Sequence, residues 1–147
     1  IEWPGGVRGA AIEARKRLMR GKVTVLKACD VHQPQPLGDG SVYDLVFSAY
    51  CVDAATDSKD EWRQWMGNLL TLCADGGVAI LVTSRKSQHY QVGNQKFPVA
   101  NVDEQDLSAA LAASGFQPQR TTIETVPIKD WAGTAFDSIA IAIAEKG

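Results

Sequence analysis

The run Val78 to Thr83, VAILVT, is apolar at nearly every position and follows a Gly76-Gly77 pair. A strand without a polar face has to be covered on both sides, which is the pattern of a parallel sheet layered between helices. The preceding stretch supplies a helix. Between Ser58 and Cys73, residues Trp62, Trp65, Met66, Leu69, Leu70 and Leu72 recur at spacings of three and four, with Asp57 or Ser58 available as cap. Tyr43 to Ala49, YDLVFSA, reads as an earlier strand with its own exit loop. Strand, helix and strand therefore alternate, and an α/β layer sandwich is the expected architecture.

The remaining elements follow the same rules. Val7 to Arg20 predicts a helix stopped by Gly21, with Arg17 and Arg20 suited to the negative helix end. Lys22 to Ala28, KVTVLKA, predicts a strand that runs into Cys29-Asp30-Val31 and the Pro- and Gly-rich segment His32 to Gly40. Ser84 to Ala100 reads as a long polar loop. Asp103 to Ser114 reads as a helix with Leu107, Ala110, Leu111 and Ala113 on one face and Gly115 at its end. Thr121 to Val126 and Ser138 to Ala144 alternate with a period of two, which predicts a terminal antiparallel hairpin joined by the loop Pro127 to Asp137. At 147 residues without internal repeats, one domain is expected over residues 1–147.

Composition excludes several classes of function. Fifteen Lys and Arg against seventeen Asp and Glu leave a net charge of −2, so no basic field exists to collect nucleic acid or anionic lipid. No apolar run approaches the roughly 20 residues that span a bilayer. The three cysteines, Cys29, Cys51 and Cys73, are too few and too widely spaced for a disulfide framework or a CxxC metal site, and they read as reduced and mostly buried. A cytoplasmic monomer without a metal is the expectation.

In open parallel sheets ligands bind beyond the carboxyl ends of the strands, so the exit loops are where chemistry belongs. Asp30, with the Val31 amide beside it, could present an acceptor and a donor to a purine edge, or make a turn ahead of the Pro-rich segment. Asp53 stands among Cys51, Val52, Ala54 and Ala55, an apolar setting in which a carboxylate selects a cationic or hydrogen-bond-donating partner, or caps a helix. Ser87 and Tyr90 offer a hydroxyl and an aromatic wall after Thr83. His32 and His89 lack the companions of a metal site or a triad. The loop Pro127 to Asp137 is a further candidate. No GxGxxG, GxSxG, HExxH or P-loop is present.

The blocks KACDVHQPQPLG (Lys27 to Gly38), YDLVFSAYCVDAATDSKDEW (Tyr43 to Trp62) and RKSQHYQVGNQKF (Arg85 to Phe97), with the Gly76-Gly77 strand, occur in order across nearly the whole chain. Together they resemble the small-molecule methyltransferases that act on nicotinamide, phenylethanolamine, indolethylamine and thioethers. The resemblance implies a Rossmann-like class I methyltransferase sandwich, here its C-terminal portion, and S-adenosyl-L-methionine as cofactor. It further implies methyl transfer to a small amine, pyridine-type nitrogen or thioether acceptor. Residue by residue, it implies that Asp30 and Val31 hold the adenine, and that Ala49 and Tyr50 border the methionine end. Tyr50, Asp53, Ala54, Ser87 and Tyr90 would face the acceptor, with Asp53 as the catalytic group. Ala49 stands where family members often carry Thr, and Asn94 replaces an acid of the phenylethanolamine enzyme. The family's glycine-rich loop, ribose-binding acid and tyrosine lid lie upstream of the matched blocks, so the expectation is an N-terminally incomplete domain with impaired turnover. A noncatalytic domain that kept the fold for binding or scaffolding is the alternative.

Overall fold

A computed structural model of the chain describes residues 9–128, 136 and 138–147. The elements run α1 (Gly9–Lys22), β1 (Tyr43–Ala49), α2 (Lys59–Leu70), β2 (Cys73–Ser84), β3 (His89–Val92), β4 (Gln95–Pro98), α3 (Glu104–Ala113), β5 (Phe116–Pro127) and β6 (Ser138–Lys146). The main sheet has four strands in the order β1-β2-β6-β5, and β3 and β4 form a separate two-stranded ribbon. β1 and β2 are parallel, whereas β6 inserts antiparallel between β2 and β5. The terminal hairpin expected from the alternating runs is thus present, its last strand lying inside the sheet. Most of its loop, Pro127 to Asp137, lies outside the described residues, as does Pro4-Gly5-Gly6, whose residues read as a turn.

One face of the sheet carries the core. Ala79 and Leu81 of β2, Val46 of β1, and Ala140, Ala142 and Ala144 of β6 are buried with Trp62, Met66, Leu69 and Leu70 of α2 and Leu107, Ala110 and Leu111 of α3. The small alanines of β6 leave room for the bulky residues of the covering helices. Both helices are capped by their own sequence. The Ser58 hydroxyl oxygen accepts from the Glu61 N–H at 3.3 Å, and Asp103 and Asp106 form a reciprocal capping box at the start of α3.

The glycine pair, expected from the sequence to stop the helix, lies instead inside β2, and α2 ends earlier, at Leu70 with Thr71 as its C-cap. Gly76 adopts φ +75°, and a Cβ on Gly77 would lie 2.8 Å from the Ala74 carbonyl oxygen and 3.1 Å from that of Asp44. The β1/β2 register shifts at this point, from Tyr43↔Cys73 to Leu45↔Val78, so the pair forms the irregularity that resets the two strands.

Three expectations require correction. Lys22 to Ala28 forms no strand: residues 23–30 have no regular structure, and Val25 and Leu26 are 62% and 91% exposed. A β-branched run becomes a strand only when a neighbour satisfies its backbone, and no described strand lies beside it. Two of the three cysteines, Cys29 and Cys51, are exposed, and only Cys73 is buried. The polar stretch after Ser84 contains the β3–β4 hairpin, in which Val92 pairs with Gln95 across Gly93-Asn94, with Gly93 at φ +59°.

The opposite face of the sheet is open among the described residues. Leu45 and Phe47 of β1 are 56% and 64% exposed, and Ile143 of β6 is 49% exposed. Among the described residues β1 pairs only with β2, leaving its other edge without a partner strand.

Leu70 is fully buried. Leu70→Ala should lower the unfolding free energy by about 2–5 kcal/mol in urea titrations, while Leu26→Ala should change it by less than about 0.5 kcal/mol. Equal effects would contradict this division between core and uncovered segment.

Candidate functional site

β1 and β2 run parallel and end side by side, with Ala49 paired to Val82. Their exit loops meet there. Tyr50, the first residue past β1, is held at φ 52° while its N–H donates to the Val82 carbonyl at 2.9 Å. A bulky residue in the left-handed region costs of order 1–3 kcal/mol and persists where its surroundings fix it, often beside a binding site. The Tyr50 ring is part-exposed, and its hydroxyl is pushed above its ordinary value by burial first and by the nearby Asp53 charge second.

Asp53 is 3% exposed. Its Oδ2 accepts from both the N–H (3.1 Å) and the hydroxyl (2.9 Å) of Ser84, the last residue of β2, and its carbonyl accepts from the Ala100 N–H at 3.1 Å. Asp53 thus ties the exits of β1 and β2 together through its buried carboxylate, and holds the segment leading to α3 through its backbone carbonyl. Ala54 beside it is half-buried. Ser87 is 1% exposed and donates to the His89 carbonyl at 3.1 Å, while Tyr90 stacks on Phe97 across the β3–β4 hairpin with ring centroids 5.1 Å apart. The hairpin's root is fixed by Lys86, whose N–H donates to the Val102 carbonyl at 2.8 Å.

Asp30 lies on a different anchor. The Val31 carbonyl accepts from the Asn68 side-chain amide at 2.8 Å, and the His32 ring sits edge-on to Trp65 of α2 with centroids 4.1 Å apart. Val31 is buried, whereas the Asp30 side chain is about half exposed, with His32 Nδ1 2.7 Å from its Oδ1 and the His32 N–H 3.1 Å away. These contacts with His32 hold the Asp30 carboxyl below its ordinary range. The structure therefore brings Ala49, Tyr50 and Asp53 together, places Ser87 and Tyr90 on the adjoining segment, and sets Asp30 and Val31 on a loop docked to α2. No group of His, Cys, Asp and Glu among the described residues could hold a metal.

Sequence reasoning missed two features of this region. Ser84 opens the run Ser84 to Phe97, one of the exit loops expected to carry ligand groups, but was not itself singled out, although its place at a strand's carboxyl end was a usable signal. Thr83 is 2% exposed with a hydroxyl that has no partner among the described residues, which no sequence pattern announces. A pocket of about 300 Å³ lined by Pro34, Pro36, Leu37, Val42 and Leu72 contains none of the expected site residues. It lies toward the amino end of β1, the wrong end of a parallel sheet for ligand chemistry.

Comparison with known proteins decides the family. Residues 5–146 match the NNMT/PNMT/TEMT family. The chain belongs to that family. It is 31% identical over 114 residues to phenylethanolamine N-methyltransferase of Sus scrofa, covering 75% of this chain and 40% of that protein. It is 34% identical over 113 residues to nicotinamide N-methyltransferase of Sus scrofa, covering 76% and 42%. The chain thus spans about two fifths of the length of these relatives. Among solved structures, the N-methyltransferase NodS from Bradyrhizobium japonicum WM9 in complex with S-adenosyl-L-homocysteine aligns with TM-score 0.58 at 15% identity, over 95% of this chain and 63% of that one. The CurJ carbon methyltransferase aligns with TM-score 0.57 at 17% identity, over 95% and 40%. These likenesses show the fold, a class I methyltransferase sandwich.

As a test of fit to S-adenosylmethionine, Asp30 offers a carboxylate that only accepts, and no described residue takes the Val31 N–H. An adjacent acceptor and donor match the amino group and ring nitrogen of an adenine. The adenine end therefore fits.

Arg85, which follows Ser84, is held by Glu104 of α3 at 2.5 Å, and Thr125 of β5 donates to the same Glu104 oxygen. The Thr125 hydroxyl first, then the Glu104 backbone N–H and Arg85, lower the Glu104 carboxyl from 4.5 to about 2. A depressed folded-state value contributes stability above pH 4.5 that is lost as pH falls toward about 2. Glu104→Gln should therefore lower the urea midpoint at pH 7, with the gap to the unsubstituted chain closing near pH 2; a gap independent of pH would contradict the assignment.

Proposed function

We propose that the chain forms the acceptor side and adenine edge of an S-adenosylmethionine-dependent methyltransferase acting on a small amine, pyridine-type nitrogen or thioether. The observation that carries this reading is Asp53: a buried carboxylate at the joint carboxyl ends of two parallel strands, beside a tyrosine held in a strained conformation. Family membership and the relatives' activities, on phenylethanolamine and on nicotinamide, support it.

When bound, the cofactor supplies a methyl group already activated on a sulfonium, so placement and exclusion of water are what the protein must add. Asp30 accepts from the adenine amino group and Val31 donates beside it. Ala49 and Tyr50 border the methionine end. Tyr50, Ala54, Ser87 and Tyr90 wall the acceptor, and Asp53 orients it. As an acceptor nitrogen gains positive charge, a fixed carboxylate favours that state over the neutral reactant.

We read the domain over residues 1–147 as N-terminally incomplete. The free edge of β1 and the open apolar face with Leu45, Phe47 and Ile143 are what a continuing sheet and further helices would cover. Groups for the ribose hydroxyls would come from that region. We place the protein in the cytoplasm as a monomer. The exposed thiols Cys29 and Cys51 suit a reducing compartment, and no helix among the described residues is long and apolar enough to cross a membrane.

Calorimetric titration with S-adenosyl-L-homocysteine tests the reading. Asp30→Ala should weaken binding about tenfold, the loss expected for a hydrogen bond to a charged group. Affinity unchanged by that substitution would remove Asp30 from the adenine site.

A further inference from the structure

Ser84 has no assigned role in the reading above, yet it is 6% exposed and commits both of its donors to one atom of Asp53. An ionised carboxylate has two oxygens and about four acceptor positions. Here Oδ2 takes the Ser84 N–H and hydroxyl, while none of the described residues donates to Oδ1. The carboxylate is therefore pinned at one oxygen and unfilled at the other. Among the described residues the buried side-chain atoms without a partner are Trp62 Nε1 and Thr83 Oγ1, so Asp53 Oδ1 stays reachable from solvent and can accept from a donor that a ligand brings.

The backbone around the pair is equally constrained. The Asp53 carbonyl accepts from Ala100, Tyr50 is tied to Val82, and Arg85 donates from its N–H to the Ser138 carbonyl at 3.0 Å. The Asp53 side chain can then turn only by breaking its bonds to Ser84. Of those two, the N–H bond belongs to any residue at that position, and the hydroxyl bond belongs to Ser or Thr alone.

We infer that Ser84 is a positioning residue for methyl transfer, holding Asp53 Oδ2 so that Oδ1 faces the acceptor. The inference rests on the reading of Asp53 as the group that orients the acceptor. A carboxylate free to swing would place the attacking atom less often in line with the methyl group, so loss of the hydroxyl should act on acceptor binding and turnover and spare the cofactor.

The test is steady-state methyl transfer in the whole protein, with nicotinamide and phenylethanolamine as acceptor probes, for Ser84→Ala, Ser84→Thr and Asp53→Asn. Cofactor-product affinity is read by titration with S-adenosyl-L-homocysteine. Ser84→Ala should raise the acceptor KM about tenfold and lower kcat, with S-adenosyl-L-homocysteine affinity unchanged. Ser84→Thr, which keeps the hydroxyl, should restore both to within about threefold of the unsubstituted protein. Acceptor KM and kcat unchanged in Ser84→Ala, but altered in Asp53→Asn, would overturn the role of Ser84 and leave that of Asp53 standing. No change in Asp53→Asn, or no turnover of either probe by the unsubstituted protein, would overturn the reading beneath it. Parallel loss of cofactor affinity and acceptor affinity in Ser84→Ala, unrelieved in Ser84→Thr, would make Ser84 purely structural and overturn the proposal as well.

Discussion

Strand β2 is hydrogen-bonded along both edges, parallel to β1 on one side and antiparallel to β6 on the other, and the remaining elements are placed by reference to it. Its inward residues, Ala79 and Leu81, belong to the buried cluster shared with the two covering helices. Its carboxyl end delivers Ser84 to Asp53, and the next residue joins Glu104. A strand fixed on both sides is a rigid platform, and a carboxylate attached to its end inherits that rigidity. The pairing that buries Ala79 and Leu81 therefore also sets where the acid sits.

The two exit loops reach the site with different degrees of support. The β1 exit is bound to β2 through Tyr50 and Asp53. The Asp30 loop is attached to α2 through Val31, Asn68, His32 and Trp65, but the chain leading into it, Val23 to Asp30, has no partner strand among the described residues. The half of the crevice assigned to the acceptor is thus held by the sheet, and the half assigned to adenine hangs from a helix.

What the sequence made legible follows the reach of local rules. The helices over 59–70 and 104–113 and the apolar strand segments over 78–83 and 138–144 announce themselves through spacing, caps and apolar runs that need no distant partner, whereas residues 73–77 of β2 carry no such run. KVTVLKA failed because strand propensity is a statement about fitting beside a neighbour, and no local pattern reports whether the neighbour exists. The β3–β4 hairpin was readable in principle from Gly93-Asn94 between two short alternating runs, but its polar, half-exposed residues mask the alternation. At the site, residue types and family blocks pointed to Asp30, Tyr50 and Asp53. The Asp53–Ser84 clasp joins residues 31 positions apart and only the register of β1 against β2 brings them together.

The central claim is that the ligand crevice lies at the carboxyl ends of β1 and β2. Amide chemical-shift mapping of the whole protein during titration with S-adenosyl-L-homocysteine tests it most directly. The account predicts the largest shifts at Val31, Ala49 and Tyr50, with the amides of Gln35, Gly40 and Leu72 around the apolar pocket unmoved. Shifts confined to that pocket, with the strand ends silent, would contradict it.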